Sequence, residues 1–480
     1  MNLFNINKGL VFATGFIVFS SCQSIKPSAQ TKGITPPTAF QSASDSSSIG
    51  AIKWNRFFMD DKLVALIDTA LANNLDLKMA VQRIEMANAS VLFRKGTLLP
   101  NVSVDISGGG NKYGDYTMDG VGNYDTNFST NLDADRKLPS PFMPNYFLGF
   151  RSTWEIDIWG KLKNQKNAAY TRYLASEKAK QAITTGIIAQ VASLYYEITA
   201  LDAELNIIHK NVELQQKAVE TILIQKEAGR ANELGVKQFE AQLLNTKSLE
   251  INILQQIKEK ENDLNLLLGR FPQSIQRNAS LQQQVPDTFS AGVPSELLKR
   301  RPDIQQAELE LLANYSDQHA AKLAFLPSLN ITAMLGFNSF KSSLLLNTAS
   351  VAYNAIGGLA APLLNRKSLH ADQNRAIAAS KESLYTYNKS VLTGFQEVST
   401  SLQKIENIRK IVDLKNQEVA VLQQAVATSR DLFLGGYASY LEIITAQKSV
   451  LEAELTLVEV QRDQLLAQIQ LYRSLGGGWE

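Results

Sequence analysis

The chain has 480 residues, with 48 Lys and Arg against 46 Asp and Glu, a single cysteine and three histidines. A near-neutral balance without a long basic stretch argues against a nucleic-acid partner, and the length is enough for several domains. Past residue 22 no run of about 18 consecutive apolar residues occurs, so no transmembrane helix is available, and a chain entering a membrane must do so as a closed barrel.

At the N-terminus, Lys8 precedes an apolar run from Leu10 to Phe19. That run is too short to span a bilayer and reads as a signal-peptide core, giving a signal peptide over 1–21. It ends in Phe19-Ser20-Ser21-Cys22, which resembles a bacterial lipobox with Cys22 as the lipidated first residue of the mature chain. An unpaired thiol in an exported protein needs such a reason. Gln23, rather than Asp, follows it; by resemblance to other lipoproteins this implies the outer membrane. Residues 22–54 are rich in Ser, Thr, Pro and Gln and read as a lipidated tether.

Next comes a repeat. Asn74-Leu75-Asp76-Leu77 opens a helical stretch ending at Lys95, followed by Leu99-Pro100 and an alternating strand. Arg301-Pro302-Asp303-Ile304 opens another ending at Lys322, followed by Leu326-Pro327 and a second alternating strand. A constant offset of 227 residues takes Asp76 to Asp303, Lys95 to Lys322 and Pro100 to Pro327. In both copies Pro ends the helix, because it cannot continue one. Whole helix–strand–helix units are duplicated: a first repeat at 55–270, a linker at 271–294 in an equatorial region, and a second repeat at 295–480.

Four strands are expected, as pairs within 101–157 and 328–362. In the first, Val102, Val104 and Ile106 alternate with Ser103, Asp105 and Ser107. The second sets Tyr146, Leu148, Phe150, Trp154 and Ile156 against Asn145, Gly149, Arg151, Thr153, Glu155 and Asp157. The third sets Leu329, Ile331, Ala333, Leu335 and Phe337 against Asn330, Thr332 and Asn338; the fourth, over 351–361, alternates poorly. Each is about the length of a transmembrane β-strand, and apolar-out, polar-in alternation is the barrel signature. Residues 108–144 and 338–350 read as polar surface loops.

Helix fills the rest. Lys161–Ala228 and Lys367–Leu434 run without Pro, with Gly186 and Gly394 as lone internal glycines. At 1.5 Å per residue each is about 100 Å long. Each ends in a glycine turn, Ala228-Gly229-Arg230 or Gly435-Gly436-Tyr437, and a return helix of half the length follows, giving hairpins over 161–268 and 367–475. The leading helices, about 61–95 and 295–325, are similarly half-length, so a leading and a return helix stack along one long helix. Two apolar stripes on the last helix, one with Leu441, Ile444 and Leu451 and another with Ile443, Ala446 and Val450, fit a wall with neighbours on two sides.

These motifs resemble those of the TolC-like outer-membrane efflux proteins. The resemblance is carried by Trp154-Glu155-Ile156-Asp157-Ile158-Trp159-Gly160, by Leu298-Lys299-Arg300-Arg301-Pro302-Asp303-Ile304 and by Phe325-Leu326-Pro327-Ser328-Leu329. Pro362-Leu363-Leu364-Asn365, the tip from Gly436 to Gln447, and the ending Leu471-Tyr472-Arg473-Ser474-Leu475-Gly476-Gly477-Gly478-Trp479 complete it. The last resembles the lipoprotein branch serving resistance–nodulation–division pumps. The resemblance implies a mainly α fold with a membrane β-barrel. Four strands per chain would join a shared, trimeric twelve-stranded barrel, above long coiled-coil hairpins that form a periplasmic tunnel. It further implies a homotrimer with a periplasmic adaptor, an inner-membrane pump and outer-membrane lipids as partners. Such a protein conducts drugs, metal ions or metabolites passively as the exit duct of a tripartite pump, with no cofactor and no chemistry. A type I protein secretion channel shares this fold and is the alternative.

Arg300-Arg301-Pro302-Asp303 reads as a helix start, with Pro302 in the first turn and Asp303 complementing the positive helix end. Glu155 and Asp157 read as pore lining rather than a glycosidase pair. His209, His319 and His370 share no metal-ligand spacing, so no metal site is expected. The functional expectation falls on the hairpin tips. Family resemblance places Glu442 at an acidic gate position and Thr445 where a second acid is common. Gly229, Arg230, Gly435, Gly436 and Tyr437 would shape the tips that meet the adaptor.

Overall fold

A computed structural model of the chain describes residue 37 and residues 48–139, 142–278 and 294–479. Cys22 and the signal segment lie outside the described residues. The first repeat runs α1 (Asp61–Asn73), α2 (Leu75–Gly96), β1 (Asn101–Asn111), α3 (Met118–Phe128), β2 (Met143–Ile156), α4 (Lys161–Glu227) and α5 (Glu233–Leu267). The second runs α6 (Pro302–Leu323), β3 (Ser328–Ser339), β4 (Val351–Ala360), α7 (Arg366–Leu434) and α8 (Tyr440–Ser474). At 67 and 69 residues, α4 and α7 are twins; α5 and α8 have 35 each.

The four strands form one antiparallel sheet in the order β1-β2-β3-β4. Its register sorts side chains by chemistry. Val104, Phe150, Leu335 and Tyr353 lie in one row across all four strands, and Ile106, Leu148, Phe337 and Val351 in the next. On the other face the rows are Ser103, Arg151, Met334 and Asn354, then Asn101, Thr153, Thr332 and Ile356. The fourth strand alternates poorly in sequence because Ile356 sits on the polar face and Gly357 on the apolar one. β1 and β4 each have one edge unpaired within the chain.

Below the sheet the helices stand in columns that follow the strand order. β1 rises from α2 and β2 leads into α4; β3 rises from α6 and β4 leads into α7. α4 packs against α2 and α5 on one side and α6 and α8 on the other, whereas the main neighbours of α7 among the described residues are α6, α8 and the short helix Leu297–Arg300. The helices flank one another as the expected stacking requires: α2 and α5 both line α4, while α6 and α8 both line α4 and α7. Indole donors lock the junctions, with Trp154 Nε1 bonding Leu98 O at 3.0 Å and Trp159 Nε1 bonding Pro327 O at 2.7 Å.

Three features depart from expectation. First, the leading helices expected over 61–95 and 295–325 are not continuous: each is interrupted where the sequence also marks a helix start, at Asn74 and at Arg301, positions related by the same offset of 227. Asn74 is 3% exposed; its Oδ1 caps Leu77 N at 3.1 Å and its Nδ2 donates to Leu267 O at 2.9 Å. Arg301 is 6% exposed and donates to both Asp303 oxygens (3.0 and 2.6 Å), Glu397 (2.5 Å) and Ser474 O (3.1 Å). At each interruption a positive-φ glycine closes in. A Cβ on Gly269 would stand 2.6 Å from Asn73 O, and one on Gly476 the same distance from Arg300 O. Second, the 108–144 stretch begins as an extension of β1 and contains α3, where Thr117 caps Gly120 N at 3.1 Å and Asn127 exchanges two 2.9 Å bonds with Leu138. Third, within the expected tether, Ile49 is buried and Tyr472 donates to Ile52 O at 2.6 Å while its ring stacks on Phe57.

The main core lies at mid-height, where α1, α4, α5 and α8 meet around Leu63, Ile67, Tyr195, Leu264, Leu471 and Tyr472. Each such large side chain taken from water contributes about 1.5–3 kcal/mol. Arg277, from the linker, straps this belt by pairing with Asp202 (2.5 and 2.7 Å) and Glu261 (2.7 Å).

Candidate functional site

The residues singled out by the sequence fall on two surfaces: the polar face of the sheet and the hairpin tips. On the polar face Arg151 Nε pairs with Asp105 at 2.9 Å, and its guanidinium lies 4.7 Å from the ring centroid of Phe147, which is buried. Asn330, Thr332 and Asn338 continue that face along β3. Glu155 pairs with Lys161 at 2.5 Å. Asp157 needs correction, because β2 ends at Ile156 and Asp157 lies beyond it. Its carboxylate accepts from Leu162 N (3.0 Å) and Lys163 N (2.7 Å), so it satisfies orphan donors at the start of α4 rather than lining a pore.

Both tips are helix-ending glycine motifs of one design. Arg230 N bonds Gln225 O at 2.8 Å around Gly229 at φ 70°, and Tyr437 N bonds Leu432 O at 2.9 Å around Gly436 at φ 78°. A residue with a Cβ is disfavoured at these left-handed positions. Gly435 precedes the second turn with ordinary helical backbone. Return helices restart at Asn232, which caps Gly235 N at 2.9 Å, and at Ser439, which caps Leu441 N at 3.3 Å. The two tips touch. Tyr440 packs on Gly235, and Ile222, Val236, Phe239 and Ile443 form a small apolar cluster between the hairpins.

Glu442 and Thr445 are exposed and stand one helical turn apart on α8. Glu442 has a local partner that spacing alone did not reveal: Ser439 Oγ donates to its carboxylate at 2.5 Å, a capping box. That hydroxyl, with backbone N–H groups, holds the Glu442 carboxyl below its ordinary range. Among the titratable groups, sequence reasoning missed Glu204. It lies on α4, 6% exposed, with Oε1 unpartnered. Burial first, and then Glu459 of α8, pushes its pKa up to about 7, with Arg462 opposing. Its only sequence signal was an acid between apolar neighbours at helical spacing. His209 faces Glu250 at 3.1 Å, and the His370 ring lies against Phe325.

A sheet with one continuous apolar face and two open edges, mounted on a tall helical wall, defines a subunit of a membrane channel. Among the described residues no helix is long and apolar enough to cross a membrane. The chain belongs to the outer membrane efflux protein family, whose model matches residues 66–270 and 293–477. The first segment falls in the half of the chain that holds α1 to α5 and the second in the half that holds α6 to α8. It is similar to the cation efflux system protein CusC of Escherichia coli, 28% identical over 430 residues that cover 89% of this chain and 88% of that protein. It is also similar to the pyoverdine export outer membrane protein OpmQ of Pseudomonas putida, 29% identical over 463 residues covering 95% and 94%. The open-state MtrE outer membrane channel of Neisseria gonorrhoeae shares the fold, with a TM-score of 0.81 at 22% identity over 95% of this chain and 98% of that one. The family and these relatives are channel proteins, and the chain is an outer-membrane efflux duct.

Proposed function

We propose that three copies of the chain close head to tail into one twelve-stranded barrel and one helical tunnel, which conducts small molecules outward without chemistry. The observation that carries this reading is the matching order of strands and columns. The chain is a wall four strands and four columns wide whose two edges are unlike: β1 over α2 and α5 at one, β4 over α7 at the other. Unlike edges generate a ring when the rotation closes. Four strands are too few, since the smallest membrane barrels have about eight.

In this reading Cys22 carries the lipid that anchors the chain in the outer membrane. The tips around Gly229, Arg230, Gly435, Gly436 and Tyr437 face a periplasmic adaptor of an inner-membrane resistance–nodulation–division pump. Glu442 and Thr445 line the periplasmic entrance, and three Glu442 carboxylates there attract cations. Relatives of similar identity are named for cations and for pyoverdine, which supports a duct that leaves cargo choice to the pump.

Purified protein should form single channels in planar bilayers, and the absence of conductance from well-folded oligomer overturns the duct. Glu442→Gln keeps a capping side chain but removes charge; cation selectivity should fall, and unchanged selectivity takes Glu442 out of the pore. Cys22→Ser should abolish acyl labelling.

A further inference from the structure

Just above the tips lies a cavity of about 390 Å³ between the two hairpins, walled by α4 and α5 on one side and α7 and α8 on the other. Ile222, Phe239, Phe433 and Ile443 supply an apolar wall. Set into it is Gln215, 2% exposed, whose amide nitrogen and oxygen both lack a hydrogen-bond partner among the described residues. Leaving a buried amide unpaired is unfavourable, so a partner that pairs with it recovers that penalty. At the mouth stand Lys217 and Arg430, both exposed, and no acidic side chain lines the cavity. Neither cation is in an ion pair among the described residues, although ion pairs recur elsewhere along these same helices and on α5.

We propose that this cavity is a binding site for a small amphiphilic anion: an apolar body against Phe239 and Phe433, a polar atom on Gln215, and an anionic head between Lys217 and Arg430. Three independent features select that chemistry. The walls favour an apolar ring or short chain by burial. The Gln215 amide offers both a donor and an acceptor. Two cations without an ion pair among the described residues, over a lining that holds no carboxylate, favour a carboxylate or sulfonate. Because the walls belong to both hairpins, a bound molecule touches α4 of one and α7 and α8 of the other at once. The site is distinct from the tip turns and from Glu442, and its occupancy does not depend on the duct reading.

The test is calorimetric titration of the full-length oligomer in lipid nanodiscs with naphthalene-1-sulfonate, and separately with the neutral naphthalene-1-carboxamide. Expected are saturable binding of one sulfonate per chain and at least tenfold weaker binding of the carboxamide. Lys217→Gln combined with Arg430→Gln should weaken the sulfonate at least tenfold, and Gln215→Leu at least threefold. Leu214→Trp, at an exposed rim position, should abolish binding by filling the mouth. Helix content measured on each variant shows that the fold persists, since Lys217, Arg430 and Leu214 are all exposed. No saturable heat with wild-type protein overturns the site. So does sulfonate binding that survives both the charge pair and Leu214→Trp, which would mark adsorption to lipid or to another apolar surface.

Discussion

The two long helices are nearly equal in length and were made by one duplication, yet α4 buries 20 of its 67 residues and α7 only 10 of its 69. Composition does not explain the difference; position does. α4 stands inside the wall with columns on both sides, and α7 stands at its edge. On α7, Tyr385, Leu392, Leu414 and Val421 remain exposed, and across the wall so do Leu92, Phe93, Leu244 and Ile251 on α2 and α5. The lesson is that a duplicated fold leaves the outer copy's helix half covered, and in the head-to-tail ring proposed above that surface meets the next copy.

The largest expected effect comes from breaking that edge. Leu414→Asp with Val421→Asp should abolish the oligomer, because burying unpaired carboxylates costs several kcal/mol per chain, while helix content stays unchanged. Size-exclusion with light scattering decides, and an intact oligomer would show that α7 is not an interface helix.

Within the chain, the interruptions at Asn74 and Arg301 sharpen the same comparison, since one register position is filled by a neutral amide in one repeat and a guanidinium in the other. Arg301→Met strands Asp303 and Glu397 beside Ser474 O and should destabilise by about 3–5 kcal/mol, read as a lowered denaturation midpoint. Glu204 sits on the doubly flanked helix, and the buried residues of α7 include no acid. Its folded pKa of about 7 stands above the ordinary carboxyl value of 4.5, so the folded chain binds the proton more tightly than the unfolded one. Its contribution is full below about pH 4.5 and is lost as pH rises through 7, a decline of about 3 kcal/mol. Glu204→Gln should flatten stability against pH across that window, and a parallel profile in the variant refutes the assignment. The smallest effect is that of Asn74→Ala, which removes a cap and one hydrogen bond and should cost about 1–2 kcal/mol. An Asn74→Ala loss equal to that of Arg301→Met would show the two interruptions to be energetically alike.

Much of this was legible in the sequence. The long helices were, because 67 residues without Pro admit little else, and so were three strands, because one face of each is apolar. The fourth was obscured by Ile356 on the polar face and by Gly357-Gly358. The α3 helix was hidden by its glycines, Gly120 and Gly122, which lower helix propensity by about 1 kcal/mol each. Period-two reasoning carried Asp157 one residue past the strand's end, where capping chemistry takes over. For Arg301, the Pro302-Asp303 pair announced a helix start, but contacts to Glu397 and Ser474, distant in sequence, existed only once the chain had folded. At the tips the glycine turns were readable, whereas the contact between Gly235 and Tyr440 joins segments some two hundred residues apart.

The unpaired edges of β1 and β4 also have a genetic consequence. In a three-chain barrel, every copy must complete the edge of the next. A chain that folds its helices but carries a ruined edge would be admitted to the ring and then spoil it. In a cell making equal amounts of sound and ruined chains, about one ring in eight would be entirely sound if mixing is random. Edge mutants should therefore be dominant over the wild type, whereas mutants that unfold the chain should be recessive.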